Sequence, residues 1–327
     1  MNSTTRIVAA FLLFMLAPAG LGCKRYRQLM ALGDAGAANS SPPAASPPVA
    51  ASSVARESLP PRIRQLREQR SSPRCPPGTA FVPGATFMMG SAGNEPEDAK
   101  QWVDWEEDVS RTRPAHRVTV APFCIDIAPV SVAEYRECVA RGACDQVPTD
   151  MLNNSSSPGG KYCNWNRKDR DELSMDCVDQ KEAARYCARD GRRLPTESEW
   201  EFAARGTDKR ALAFGNPPPE KRPDTCASRR ENDYVCRIAS FPDARSPFGI
   251  YDMAFADSEW TGSKYCDYPK RDCDTKFVVV RGGISPTRAL TTSRQPIEPS
   301  DRTSITFRCA GSVDSNDAKD RDAGGAP

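Results

Sequence analysis

Apolar residues recur at helical spacing in three places, and each place begins with the same polar device. Ser131-x-x-Glu134, Asp179-x-x-Glu182 and Thr196-x-x-Glu199 each set a short oxygen-bearing side chain three residues before a glutamate. At a helix start the first side chain accepts from the glutamate's backbone N–H, and the glutamate reaches back to the first residue's N–H. The pattern predicts one helix that carries Tyr135, Cys138 and Val139 inward and stops at Gly142. A second carries Ala183, Tyr186 and Cys187 and ends at Gly191. A third carries Trp200, Ala203 and Ala204 and ends at Gly206. Short apolar or alternating runs at 79–82, 85–89, 116–120 and 277–280 predict strands. Long connections rich in Pro, Asn, Asp and Gly separate these elements, a share of irregular chain that calls for covalent support.

The pattern fades at both ends. From 33 to 72 the chain is rich in Ala, Pro and Ser, with SPPAASPPVAASS at its centre. So few bulky apolar residues cannot offset the entropy of ordering, and the segment reads as a disordered tether. Within it, 62–70 reads as a solvated charge run. Residues 313–327 are again small and polar and read as a tail. At the start, Arg6 precedes an apolar run, 7–16, that is too short to span a bilayer. Two processing readings stay open. Ala17-Pro18-Ala19 suits cleavage to a soluble secreted or periplasmic protein. Gly22-Cys23 suits a lipoprotein junction, with Cys23 acylated, although Gly20 stands where a branched apolar residue is usual. A long tether after an anchored cysteine favours lipidation. The expected organisation is a signal peptide at 1–22, anchor site and tether at 23–72, a folded domain at 73–312, and the tail.

Composition sharpens this picture. With 45 basic and 43 acidic residues, no global field points to nucleic acid. Thirteen cysteines fit an oxidising compartment. Setting Cys23 aside leaves an even twelve. No CxxC pair occurs and His116 is the single histidine, so Cys/His zinc patterns cannot be assembled. The acidic run at 95–108 reads as a solvated loop, with Trp102 and Trp105 as a candidate lip for a partner or glycan.

The third helix belongs to a less common string, GRRLPTESEWEFAARG (191–206). With it stand GATFMMGS (84–91), RPAHRVTVAPFCID (113–126), SPFGIYDM (246–253), EW (259–260), RGG (281–283) and FRCAG (307–311). These landmarks, in this order, resemble the sulfatase-modifying-factor family, whose namesake is the formylglycine-generating enzyme. The resemblance implies a compact α+β domain of low secondary-structure content, related to C-type lectins and stapled by disulfides. It also implies a Cys187–Cys309 bridge, and with that pair set aside the other ten cysteines pair with sequence neighbours as Cys75–Cys124, Cys138–Cys144, Cys163–Cys177, Cys226–Cys236 and Cys266–Cys273.

In the family's enzymes, RGG is followed by a serine and then by a CxxxxC pair that binds copper. Soft thiolates suit Cu(I). Here RGGISPTRALTTSR places Ile284 at the serine position, and no cysteine lies between Cys273 and Cys309. Copper is therefore not expected. Relatives that use non-haem iron need several histidines, and His116 stands alone as a structural residue. The family's calcium loop, roughly GNVWEW, aligns with Phe255–Trp260, where Glu259 persists and Asp257 adds a hard oxygen, a candidate calcium position. The implied function is a lipid-anchored envelope domain without catalysis that binds protein, peptide or glycan. The alternatives are an active formylglycine-generating or related oxidative enzyme, and a structural envelope protein.

Overall fold

The computed structural model describes residues 58–91, 93, 100, 109–148, 163–165, 167–228, 236–269, 273 and 276–314. All three capping boxes form. Ser131 opens helix α2 (Val132–Ala140), Asp179 opens α3 (Gln180–Ala188) and Thr196 opens α4 (Glu197–Arg205). In each, both reciprocal hydrogen bonds are present. Such caps contribute about 1 kcal/mol apiece, which matters for helices of nine residues. The stops also follow the pattern: Gly142, Gly191 and Gly206 have φ of +68°, +69° and +65°, where an L side chain is disfavoured.

An earlier helix, α1 (Pro61–Glu68), corrects the expected tether. Ile63 and Leu66 are buried in the core together with Leu59. The Arg67 guanidinium reaches Glu134 at 2.7 Å and the carbonyls of Ala128 and Pro129 at 3.3 and 2.8 Å. Within the run at 62–70, Ile63 and Leu66 are thus buried and Arg62, Arg64 and Arg67 half-buried, while Gln65, Glu68, Gln69 and Arg70 stay exposed, and the folded unit begins well before 73. A three-residue apolar stripe, i, i+4, i+7, is enough when the intervening arginines also find acceptors.

Strands are short and fall into three sheets. β1 (Thr79–Val82) pairs antiparallel with β4 (Phe123–Asp126), which pairs with β9 (Ala310–Ser312). β2 (Ala85–Met89) and β3 (His116–Val120) form a two-stranded ribbon. The third sheet has the order β7-β6-β5-β8, from Arg294–Ile297, Val278–Arg281, Ser258–Lys264 and Ile305–Thr306. The expected strand at 277–280 is displaced by one residue, and β4, β5, β7, β8 and β9 were not expected.

Two apolar clusters organise these pieces. One gathers α1, β1, β2, β4 and α4 around Phe87, Phe123, Trp200, Phe202 and Ile250. The other gathers α2, α3 and the third sheet around Tyr135, Tyr186, Trp260 and Phe307. Tyr135 stacks on Tyr186 with ring centroids 5.7 Å apart, and Phe307 meets Tyr186 edge-on at 5.3 Å. Five cysteines, including Cys187 and Cys309, belong to this second cluster.

Candidate functional site

α4 is buried nearly all round, and one of its buried faces is charged. Glu197, Trp200, Glu201 and Arg205 share it by helical spacing. Glu201 accepts from the Gly90 N–H at 2.8 Å and from Arg205 at 2.7 Å, and its second oxygen accepts from Arg281. Arg205 also donates to the carbonyls of Gly90 and Met88 at 3.0 and 3.2 Å. Burial acts to raise the Glu201 carboxyl, but Arg281 and Arg205 outweigh it and hold the group below the usual carboxylate range. Arg281 spends a further nitrogen on the carbonyls of Ser293 and Thr291. Glu197 accepts from Arg294 at 2.6 Å and from the Tyr268 hydroxyl at 2.8 Å, and Arg294 lies over the rings of Tyr265 and Tyr268.

A second pair sits on the other side of Trp200. The indole N–H donates to Glu259 at 2.9 Å, and Arg308 grips the same carboxylate through Nε at 2.7 Å and Nη2 at 2.5 Å. Both side chains are fully buried. Arg308 also donates to the carbonyls of Asp126 and Tyr251. Asp126 in turn pairs with Arg192 and accepts from the Cys309 N–H at 2.8 Å.

The chain after Arg281 is where the family's thiolate pair would stand. Gly282, at φ +75°, lies so close to Trp200 that a Cβ would meet the indole at 3.2 Å. Ile284 packs against the small cluster of Cys226, Phe241 and Ala244. The following turn closes with the Ala289 N–H on the Ser285 carbonyl at 2.8 Å. Ala289 and Leu290 then enter the first core cluster beside Ala211, Leu212 and Ala213. Thr291 is fastened through its N–H to Ala211 and through its hydroxyl to Arg210. This segment is packing. It presents hydroxyls, an exposed Arg288 and apolar side chains, and no thiol.

Of the two candidate calcium ligands, Glu259 has both oxygens engaged by Arg308 and Trp200, so a cation there has to displace a buried guanidinium. Asp257 is half-buried and accepts from the Ser174 hydroxyl. Burial pushes its carboxyl up, an effect the Ser174 bond opposes and Glu259 reinforces. Two further acids escaped the sequence reading. Burial, with Asp257 adding repulsion, pushes Asp176 up to about 8. Burial likewise pushes Asp252 up to about 6. Their separation along the chain left no local signal. Among the described residues, no three His, Cys, Asp or Glu side chains are grouped so as to hold a metal ion.

The twelve domain cysteines form six bridges: Cys75–Cys124, Cys138–Cys144, Cys163–Cys177, Cys187–Cys309, Cys226–Cys236 and Cys266–Cys273. His116, half-buried at the start of β3, has Nδ1 3.1 Å from the Pro114 carbonyl and meets Tyr268 edge-on at 4.5 Å. Cys23, Trp102 and Trp105 lie outside the described residues.

Comparison with known proteins agrees with this frame. Residues 65–313 match the sulfatase-modifying factor enzyme 1-like domain. The inactive C-alpha-formylglycine-generating enzyme 2 of Mus musculus is 28% identical over 289 residues, covering 72% of this chain and 86% of that protein. The formylglycine-generating enzyme of Mycobacterium tuberculosis is 27% identical over 241 residues, covering 59% of this chain and 75% of that protein. Among solved structures, PvdO from Pseudomonas aeruginosa superposes with a TM-score of 0.54 at 22% identity, covering 74% of this chain and 96% of that one, a likeness of fold.

Proposed function

The chain belongs to the sulfatase-modifying factor enzyme 1-like domain family, and from that premise we propose that it is a catalytically silent member that binds a protein, peptide or glycan at the cell envelope. One observation carries the reading. The segment that follows Arg281 buries Ala289 and Leu290 in the core and offers no thiol, while all twelve domain cysteines are tied in bridges. Oxidising an unactivated cysteine with O₂ needs a metal that passes electrons, and copper in that role needs soft anionic ligands at an accessible position. A disulfide sulfur is not a thiolate. Similarity to proteins described as inactive formylglycine-generating enzyme 2 supports the same conclusion.

Anchoring through Cys23 is part of the proposal, as it gives the Ala/Pro/Ser-rich tether a purpose: holding a folded domain away from a membrane. The twelve bridged cysteines suit the oxidising compartment this requires. The deciding experiment incubates the purified protein with reduced copper, O₂ and a CxPxR-type sulfatase peptide. No formylglycine and no stoichiometric copper are expected. Formylglycine in the peptide restores the enzyme reading. A peptide and glycan array probed with the same preparation supplies the positive arm, and retention of neither class refutes the binding role.

A further inference from the structure

Helix α1 is an unusual element. It has eight residues, Pro60 at its N-cap, no side-chain cap and no acid in its first turn. Helices this short are not stable alone in water. Its order therefore comes from docking, by Leu59, Ile63 and Leu66 below and by two arginines at its sides.

One of those arginines reaches a strained part of the chain. Arg62 donates to two successive carbonyls, Ile238 at 2.6 Å and Ala239 at 2.7 Å. Ala239 has φ +55°, and its N–H donates to the Asp252 carboxylate at 2.6 Å. Asp252 has φ +60°, and three residues on, Phe255 has φ +54°. Thus three of the five non-glycine residues with left-handed φ, among the described residues, lie on two segments joined by this one bond. Residues hold such conformations only where their surroundings over-determine them. Arg62 supplies part of that constraint from outside both segments.

The near side of Asp252 has fastenings of its own that do not involve Arg62. The Tyr251 N–H donates to the Ile127 carbonyl at 2.8 Å, and the Tyr251 carbonyl accepts from Arg308 at 3.0 Å. Arg67, the second arginine of α1, acts elsewhere, on Ala128, Pro129 and Glu134. Arg62 is the side chain of α1 whose hydrogen bonds lead to the strained stretch 252–256, by way of Ala239, while Leu59, Ile63 and Leu66 share the first apolar cluster with Met253, Ala254 and Phe255.

We propose that α1 is a latch. Seated, it fixes Ala239 and through it the 252–256 loop beside the RGG segment. Withdrawn, by a pull on or a cut in the chain that precedes Ser58, it frees that loop while the bridged core persists. The state of the N-terminal segment is thereby transmitted to the loop that carries Asp252 and leads into Asp257, whose carbonyl lies beside Gly282.

Amide hydrogen exchange on the full chain tests this. Arg62→Ala keeps the apolar docking and removes the guanidinium. Exchange at 238–240 and at 252–256 should rise about tenfold or more, the scale of a lost charge-assisted pair, while 126–135 stays unchanged. Arg64→Ala, which removes a side chain whose one described bond is a 3.5 Å contact to the Leu59 carbonyl, should change neither region. Ile63→Asp unseats the whole helix and should release 126–135 as well. The latch is overturned if 252–256 is unchanged in Arg62→Ala, whether or not 238–240 accelerates. Uniform acceleration across the domain in Arg62→Ala also overturns it, because it assigns the helix to global stability only.

Discussion

Replacing Glu259 by glutamine tests what the centre of this domain is for. The carboxylate and the Arg308 guanidinium are both fully buried, and the carboxylate accepts three hydrogen bonds: two from Arg308 and one from Trp200. Glutamine keeps the shape but removes the charge, stranding a buried guanidinium. Breaking one half of a buried pair costs about 3–5 kcal/mol. At roughly 2–4 °C per kcal/mol for a domain of this size, the midpoint should fall by about 10 °C. Urea unfolding followed by tryptophan fluorescence suits the measurement, since Trp200 is bonded to the group being changed. The double variant Glu259→Met with Arg308→Met removes both charges, and should recover part of the loss. Recovery is incomplete, because the Asp126 and Tyr251 carbonyls and the Trp200 N–H lose their partners. A loss below about 1 kcal/mol for Glu259→Gln refutes the pairing argument. So does millimolar calcium that stabilises the wild type and not Glu259→Gln, because the carboxylate would then serve a cation and not Arg308.

Three further outcomes follow from the same geometry. Cys187–Cys309 spans 122 residues and Cys138–Cys144 spans 6, so removing the first bridge as a double alanine variant should cost roughly 4–5 kcal/mol and the second about 2; urea midpoints in the reverse order refute the loop argument. Asp176, pushed up to about 8, binds its proton more tightly folded than unfolded, so its contribution is complete below about pH 4 and fades as pH rises through 8. Asp176→Asn should therefore gain stability relative to wild type steadily between those limits, and a pH-independent difference counts against the burial assigned here. Cys23→Ser should move the protein from the membrane to the soluble fraction, and mass spectrometry that finds an unmodified mature N-terminus at Gly20 sinks the lipidation proposal.

Legibility from sequence followed the range of the interactions. The capping boxes are local, so Ser131, Asp179 and Thr196 announced their helices. β7 did not, because RQPI contains a proline that only an edge position tolerates, and the third sheet places it at the edge. β5, SEWTGSK, is polar and contains a glycine; it is a strand because β6 and β8 flank it. α1 was hidden because three apolar residues among arginines carry too little periodicity, and its acceptors lie 61 to 177 positions away. In the site, the missing thiols were legible by absence. Asp257 was legible as a candidate ligand, but its repulsion on Asp176 was not, for it acts only once the fold brings their two distant segments together.

The landmarks that carry the family likeness are structural. Glu197, Trp200, Glu201 and Arg205 come from the LPTESEWEFAARG string, Met88 and Gly90 from GATFMMGS, Glu259 from EW, Arg281 from RGG, and Arg308 and Cys309 from FRCAG. Each is a member of the charge networks around Trp200, or of the bridge beside them. Buried charges are costly to leave unpaired, so these positions constrain one another: any single change strands its partner. The segment from Ile284 to Ser293 is tied to that frame through backbone carbonyls, at Thr291 and Ser293 on Arg281. Backbone acceptors do not specify side chains. The frame can therefore keep its signature while the side chains after RGG vary, and in this chain Ala289 and Leu290 are packed in the core. In this fold the string that identifies the family reports the scaffold, and the chemistry has to be read separately, in the residues that the scaffold leaves free to vary.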